Sequence, residues 1–196
     1  EIAFQNLVFF DKSDDLLNLF SLGYSRILIL RPPLFGKSII CDIIEDLFKG
    51  NKVTLQTLKA KILDSWDFSK TFPVVRFSMR FYAINFDDFY IHFSLIIKNL
   101  FLKFKIPLDI FYSFGVPQDA FAYLIDFLTS NNQKIVIIIE DIETCLINIP
   151  HESPDNYKIK LCMQQLFNYL FNIKDSLHFL LLLGIDNFSF VFITTN

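Results

Sequence analysis

The residues best suited to chemistry in this sequence are Gly36, Lys37 and Ser38, which follow an apolar run and open an amphipathic one. A helix N-terminus presents free N–H groups and the positive end of the helix dipole, so it attracts phosphate oxygens. At this spacing Gly36 allows close approach of the backbone, Lys37 reaches the β- and γ-phosphates, and the Ser38 hydroxyl can ligate Mg²⁺. The pattern predicts a phosphate-binding loop.

The neighbouring segments support this interpretation. Gly-Lys-Ser alone is a weak signal, because a helix that starts with an ordinary exposed lysine has the same letters. Here a strand-like run, residues 26–30, precedes the loop and a helix-like run, residues 37–49, follows it. The general pattern asks for glycine five residues before Gly36, where this chain has Arg31. Strand, loop and helix in this order favour the phosphate-binding interpretation.

A second group of candidate residues follows the apolar run at residues 135–139. Glu140, Asp141 and Glu143 come directly after it. Carboxylates that follow a buried strand, downstream of a phosphate loop, are suited to a Mg²⁺ shell and to orienting an attacking water. A strand that simply ends in solvated acids has the same pattern. The position downstream of Lys37 favours the Mg²⁺ interpretation.

The elements that must position these residues alternate along the chain. Nearly continuous apolar runs of strand length suit a parallel sheet that is covered on both faces. Amphipathic runs of helical spacing lie between them. We therefore predict one α/β domain over residues 1–196, a P-loop NTPase-like three-layer αβα sandwich with a mainly parallel five-stranded sheet. The predicted strands are residues 26–30, 73–78, 135–139, 178–183 and 188–194, and the predicted helices are residues 37–49, 86–104, 117–130 and 156–174.

Composition excludes several classes of protein. Hydrophobic residues make up 53% and charged residues 20%, which rules out intrinsic disorder. The net charge of −3 and the lack of a Lys/Arg run give no direct nucleic-acid signature. No uncharged apolar run approaches the ~20 residues of a membrane span, so we expect no membrane association.

The three cysteines indicate a reducing compartment. Cys41, Cys145 and Cys162 lie far apart in sequence, and each is flanked by apolar residues. This pattern predicts buried reduced thiols and an intracellular, cytoplasmic location. The three histidines do not cluster with them, so no Cys/His metal site is predicted. The chain starts without Met, and we expect it to be a piece of a longer protein.

Four segments together resemble a known family, the AAA-ATPase-like domain found in front of PD-(D/E)XK-type nuclease domains. That family has a D-K-[TS] element, the loop R-P-R-R-F-G-K-S, a W…(Y/F)-P-V-I strand and a T-G-V-S-K-F-S segment. The resemblance spans nearly the whole chain. The matching segments here are Asp11-Lys12-Ser13, Arg31-Pro32 through Phe35-Gly36-Lys37-Ser38, Trp66 with Phe72-Pro73-Val74-Val75, and Leu183-Gly184-Ile185-Asp186-Asn187-Phe188-Ser189.

The resemblance implies ATP and Mg²⁺ as ligands and assigns roles to particular residues. It implies a nucleotide-binding loop made of Arg31, Phe35, Gly36, Lys37 and Ser38. The family's D-E-Y-D segment implies catalytic roles for Glu140 and Asp141, with Glu140 joining Ser38 as a metal ligand.

Several departures from the family pattern predict weakened chemistry. The two loop arginines of the family are Pro33, which has no N–H, and Leu34, which has no charge. The family's Asp-Glu pair is Glu140-Asp141 here, and moving a carboxylate by about an ångström can cost about a hundredfold in rate. The family's Thr after the last strand is Leu183, which cannot hydrogen-bond a phosphate.

Three functions remain open on the sequence. The first is an ATP-binding domain with weak or lost hydrolysis that acts as a switch or scaffold. The second is a degenerate interaction module that no longer binds nucleotide and uses its abundant Phe to cover a protein partner. The third is an active ATPase that tolerates the exchanged acids.

Overall fold

The computed structural model describes residues 13–32, 36–53, 55 and 61–185 of the chain. Four strands form one sheet in the order β1-β4-β3-β2, and every neighbouring pair is parallel. The predicted α/β class and parallel sheet are confirmed. The structure describes four strands rather than five, because the predicted fifth, residues 188–194, lies outside the described residues. The strands are β1 (Arg26–Leu30), β2 (Val74–Ser78), β3 (Ile135–Glu140) and β4 (Leu177–Gly184).

Helices cover both faces of this sheet. The cluster on one face joins Val136 and Ile138 of β3 to side chains of α1, α2 and α3, and the cluster on the other face joins Ile137 and Ile139 to α4–α7. The result is three layers. The helices are α1 (Ser13–Ser21), α2 (Lys37–Lys49), α3 (Lys61–Ser65), α4 (Phe86–Lys103), α5 (Leu108–Tyr112), α6 (Pro117–Thr129) and α7 (Pro154–Asn172), with a 3₁₀ turn at Thr144–Leu146.

The apolar runs explain the two inner strands better than the outer ones. All six residues of β3 are buried, as a strand covered on both faces requires. β1 was also expected to be central, but it lies at the edge of the described sheet and its residues are half-buried or exposed. It pairs with β4 alone among the described strands, so its backbone is less covered.

Local sequence signals set several helix ends. Gly50 ends α2 in the left-handed conformation with φ 75°, as predicted from its position after the amphipathic run. The Asn85 side chain caps α4 by accepting a hydrogen bond from the Asp88 amide. Ser153 caps α7 in the same way, which moves the start of that helix to Pro154 from the predicted residue 156.

Three helices were not predicted. α3 and α5 have five residues each, too few to show a helical period, and α1 has nine. The three cysteines are buried and reduced, as predicted. None of the helices in the described ranges combines the length and apolar content of a membrane span.

Phe48 is the centre of the core on the α2 face, and its removal tests this packing. Phe48 is 2% exposed and contacts the rings of Phe20, Trp66 and Phe179. We predict that Phe48→Ala lowers the free energy of unfolding by about 3–5 kcal/mol, because a buried aromatic ring leaves a cavity.

Denaturant unfolding followed by the fluorescence of Trp66, the single tryptophan, measures this loss. Phe127→Ala is the matched control, since Phe127 is 47% exposed and its loss should cost less than about 1 kcal/mol. Equal losses for the two variants would contradict this description of the core.

Candidate functional site

Lys37 lies at the start of α2 and turns back toward the sheet. Gly36 adopts the left-handed conformation, with φ 73°, directly before the helix. The Lys37 Nζ donates a hydrogen bond to the Gly184 carbonyl oxygen at 3.3 Å and lies 4.0 Å from Asp141 Oδ1. The Lys37 side chain is 10% exposed, so its ammonium is held at the sheet edge instead of extending into solvent.

The strand order explains why a lysine after β1 meets an acid after β3. β4 lies between β1 and β3, and in a parallel sheet all carboxyl ends share one edge. Backbone bonds join the segments that leave this edge. The Arg31 amide donates to the Gly184 carbonyl oxygen at 3.0 Å, and the Ile142 amide donates to the Leu183 carbonyl oxygen at 3.3 Å.

Asp141 has an uncommon backbone conformation for a residue with a side chain. Its φ is 53°, in the left-handed region that Asp tolerates better than most residues. Its Oδ2 accepts a hydrogen bond from the Ser78 hydroxyl at 3.1 Å, and its Oδ1 faces Lys37. The carboxylate therefore joins the end of β2 to Lys37 at the start of α2.

Glu140 takes a different direction from Asp141. It continues the face of β3 that packs on α2, and its Oε1 accepts a hydrogen bond from Arg76 Nε at 2.7 Å. The same guanidinium binds Asp42 and Glu45 of α2. Among the described residues, Asp141 and not Glu140 lies within ion-pair distance of Lys37.

Arg76 keeps its positive charge in this position. Burial alone lowers the pKa of Arg76, but its hydrogen bonds with Glu140, Asp42 and Glu45 raise it well above the ordinary arginine value. Arg76 therefore serves as the ion-pair partner of these three carboxylates.

The other predicted site residues are only partly defined. Ser38 is exposed in the first turn of α2. Arg31 is also exposed, and its backbone amide donates a hydrogen bond to Gly184 of β4. Phe35 lies outside the described residues, as do Pro33 and Leu34, the positions where the family has arginines. Leu183, which stands where the family has Thr, is fully buried in the core on the α2 face.

The predicted donors for Mg²⁺ do not fit the ion as they are arranged. Magnesium needs oxygen ligands that are free to complete an octahedral shell. Glu140 is bound to a guanidinium, and Ser38 supplies one neutral oxygen. In the part of the chain that the structure describes, no three His, Cys, Asp or Glu side chains form a metal-binding group.

The sequence analysis grouped Glu143 with Glu140 and Asp141 but assigned it neither a metal-binding nor a catalytic role. Both of its carboxylate oxygens are shielded from solvent and have no hydrogen-bond partner in the described part of the chain. Burial raises the pKa of Glu143, while its own amide and the nearby Lys37 ammonium act in the opposite direction and only partly offset it. In the sequence, Glu143 is the third acid of the segment Glu140-Asp141-Ile142-Glu143, and this position also brings it near Lys37.

Comparison with known proteins places the chain in a family. The sequence profile of the family described as Predicted AAA-ATPase, named AAA-ATPase-like, matches residues 1–194. The chain belongs to the AAA-ATPase-like family, as its sequence motifs predicted.

The individual matches add little beyond the family. An "Uncharacterized protein in vnfD 5'region" from Azotobacter chroococcum mcd 1 is 37% identical over 68 residues. The aligned segment covers 35% of this chain and 13% of that protein, so the chain spans a small part of this relative. No solved structure matches the chain.

Glu143→Gln tests the buried carboxylate. The pKa of Glu143 in the folded state is raised above the unfolded value near 4.3. Below that value the carboxyl is neutral and costs the fold nothing, and as pH rises through the folded pKa its ionisation lowers the free energy of unfolding. We predict that Glu143→Gln raises Tm at pH ~7.5 by about 2–4 °C, a size that allows for partial solvent screening, and has no such effect at pH ~4.

Thermal unfolding at the two pH values measures this difference. The matched control is Glu152→Gln, because Glu152 is exposed and its neutralisation should leave Tm within about 1 °C at both pH values. A Tm that falls for Glu143→Gln at pH ~7.5 would show that the charged carboxylate is stabilised in the fold.

Proposed function

We propose that this chain binds ATP at the edge where β1, β3 and β4 end, and that it hydrolyses ATP weakly or not at all. The observation that carries the proposal is the position of Lys37. Its ammonium is held beside Gly184 and Asp141, at the N-terminus of a 13-residue helix. Membership of the AAA-ATPase-like family supports a nucleotide as the ligand.

The present partners of Lys37 leave it available to a phosphate. The hydrogen bond to a neutral carbonyl is 3.3 Å long, and the distance to Asp141 is at the outer limit of an ion pair. A phosphate oxygen makes a shorter, charge-assisted hydrogen bond and therefore competes well for the ammonium. The first amides of α2 have no acceptor within the helix and add donors at the same place.

The acids favour binding over hydrolysis. A water that attacks the γ-phosphate needs a carboxylate that is free to orient it. Asp141 accepts a hydrogen bond from Ser78 and faces Lys37, while Glu140 is held by Arg76. Glu143 has no hydrogen-bond partner in the described chain, but burial raises its pKa and so disfavours the charged form that would orient a water. Leu183 is buried and apolar, so it cannot hydrogen-bond the γ-phosphate in place of the family's Thr.

A nucleotide held without rapid turnover suits a switch or a scaffold. A ligand that binds the folded state alone stabilises it in proportion to its concentration above Kd. Lys37 follows Gly36 at the start of α2 and contacts Gly184 and Asp141, which belong to other parts of the chain. Bound ATP would hold these segments together, and its loss would release them.

A second candidate function is a protein-interaction module, and the outer surface of α4 favours it. Ile91, Leu95 and Leu102 are 58%, 48% and 54% exposed, and Tyr112 of α5 is 63% exposed. Phe127 is the one large exposed phenylalanine among the described residues, so phenylalanine contributes little to this surface of α4 and α5. A partner surface would therefore be mainly aliphatic. If this function holds without nucleotide, Lys37→Ala leaves partner binding unchanged.

Lys37→Ala tests the first proposal. Calorimetric titration of the wild-type chain with ATP should give saturable binding, and Lys37→Ala should weaken it about 10- to 100-fold, the loss of a hydrogen bond to a charged group. Lys70→Ala is the control, because the Lys70 side chain is 76% exposed and pairs only locally with Asp67. A folded wild-type chain that gives no heat at millimolar ATP rejects nucleotide binding.

Asp141→Asn separates binding from an active ATPase. If hydrolysis is weak or lost, phosphate release by the wild-type chain should be no more than about threefold above that of Asp141→Asn. A wild-type rate that falls about a hundredfold on this substitution supports the third function, an active ATPase that tolerates the exchanged acids.

A further inference from the structure

The ion cluster on the α2 face of the sheet includes Glu140, the acid that was predicted to bind metal. Arg76 lies on β2, and its Nε contacts Glu140 Oε1 at 2.7 Å. Its NH1 contacts Asp42 Oδ1 at 2.5 Å and Glu45 Oε2 at 3.0 Å. The side chains of Arg76, Glu45 and Glu140 are 18%, 15% and 11% exposed, so their contacts are largely shielded from water, whereas Asp42 is 42% exposed.

The charges within this cluster are balanced. Lys49 and Lys103 both contact Glu45 Oε1, so three cations face the three carboxylates of Asp42, Glu45 and Glu140. The neighbouring Cys41 adds no charge, because burial and, to a smaller extent, Glu140 raise the pKa of its thiol. In the chain without nucleotide, a divalent cation at Glu140 would therefore add two charges that the cluster does not compensate, or would have to displace Arg76.

Displacement of Arg76 is unfavourable for a second reason. The guanidinium is planar and presents several donors in fixed directions, which lets it bridge strands β2 and β3 to helix α2. Moving it would leave the Glu140 carboxylate, which is 11% exposed, without its cationic partner. Magnesium also gives up its bound water reluctantly, so a single neutral oxygen from Ser38 adds little to its affinity.

We propose that the Arg76 guanidinium takes the place of a divalent cation at Glu140, so that this chain binds ATP without requiring Mg²⁺. The statement about ATP and Mg²⁺ rests on the proposed nucleotide site, whereas the statement about Arg76 and Glu140 does not. The positive groups that face the triphosphate are then Lys37 and the first amides of α2, and these groups favour free ATP at least as strongly as Mg-ATP. Arg76 remains on Glu140 in both the empty and the bound chain.

The first measurement is the Kd of the wild-type chain for ATP, in excess MgCl₂ and in excess EDTA. We expect the two values to agree within about threefold, or binding to be tighter in EDTA. Binding that is tenfold or more tighter in MgCl₂ overturns the inference while leaving the proposed nucleotide site in place.

The second measurement uses Mn²⁺ alone as the probe, read by electron paramagnetic resonance without nucleotide. The wild-type chain should show no saturable Mn²⁺ binding, because Arg76 holds Glu140. Arg76→Met removes the cation from Glu140 and Asp42, while Glu45 keeps Lys49 and Lys103, and the variant should gain Mn²⁺ binding. The double variant Arg76→Met with Glu140→Gln should lose most of that gain. Saturable Mn²⁺ binding by the wild-type chain that disappears in Glu140→Gln overturns the inference.

These two measurements separate the failure of the inference from the failure of the proposed function. A chain that binds ATP in neither buffer lacks the proposed function, and the Mn²⁺ result on the wild-type chain still decides whether Arg76 excludes a metal from Glu140. If Arg76→Met does not fold, as judged by Trp66 fluorescence, the wild-type measurements and the Glu140→Gln comparison decide the question alone.

Discussion

The contact between the Lys37 ammonium and the Gly184 carbonyl oxygen joins the loop after β1 to the end of β4, and the nearby Asp141 carboxylate adds the end of β3. This meeting depends on strand order, because β4 separates β1 from β3 and all strands run in one direction. A lysine with 10% of its side chain exposed must have its charge compensated. In the described chain the carbonyl lies at 3.3 Å and the carboxylate at 4.0 Å, so this compensation is partial, and the proposed phosphate would complete it.

The two acids at the end of β3 serve different parts of the structure, although they are adjacent in sequence. Glu140 keeps the alternation of the strand and faces α2, where Arg76 binds it. Asp141 breaks the alternation with its positive φ and faces Lys37. The exchange of Asp and Glu relative to the family is therefore more than a shift of one methylene, because the longer acid reaches a guanidinium on the neighbouring strand. The cluster around Arg76 links β2, β3 and α2, and it holds Glu140 away from the edge of the sheet where Lys37 and Asp141 lie.

Sequence reasoning predicted the features that depend on local pattern. The family, the four described strands, α2 from Lys37 to Lys49 and its end at Gly50 all follow from motif, apolar runs and helix signals. It did not predict α3 or α5, which are too short to show a period. It also could not assign partners to Arg76, because Asp42 and Glu140 are 34 and 64 residues away in sequence. Such contacts depend on strand order, and strand order is set by packing of the whole chain.

The most direct measurement is a crystal structure of the chain grown with a non-hydrolysable ATP analogue. The Lys37 ammonium should then lie within about 3 Å of a phosphate oxygen, with the first amides of α2 directed at the same phosphates and Arg76 still bound to Glu140. If the analogue is absent at saturating concentration, or is bound elsewhere while Lys37 remains on Gly184 and Asp141, the phosphate site does not exist at this edge of the sheet.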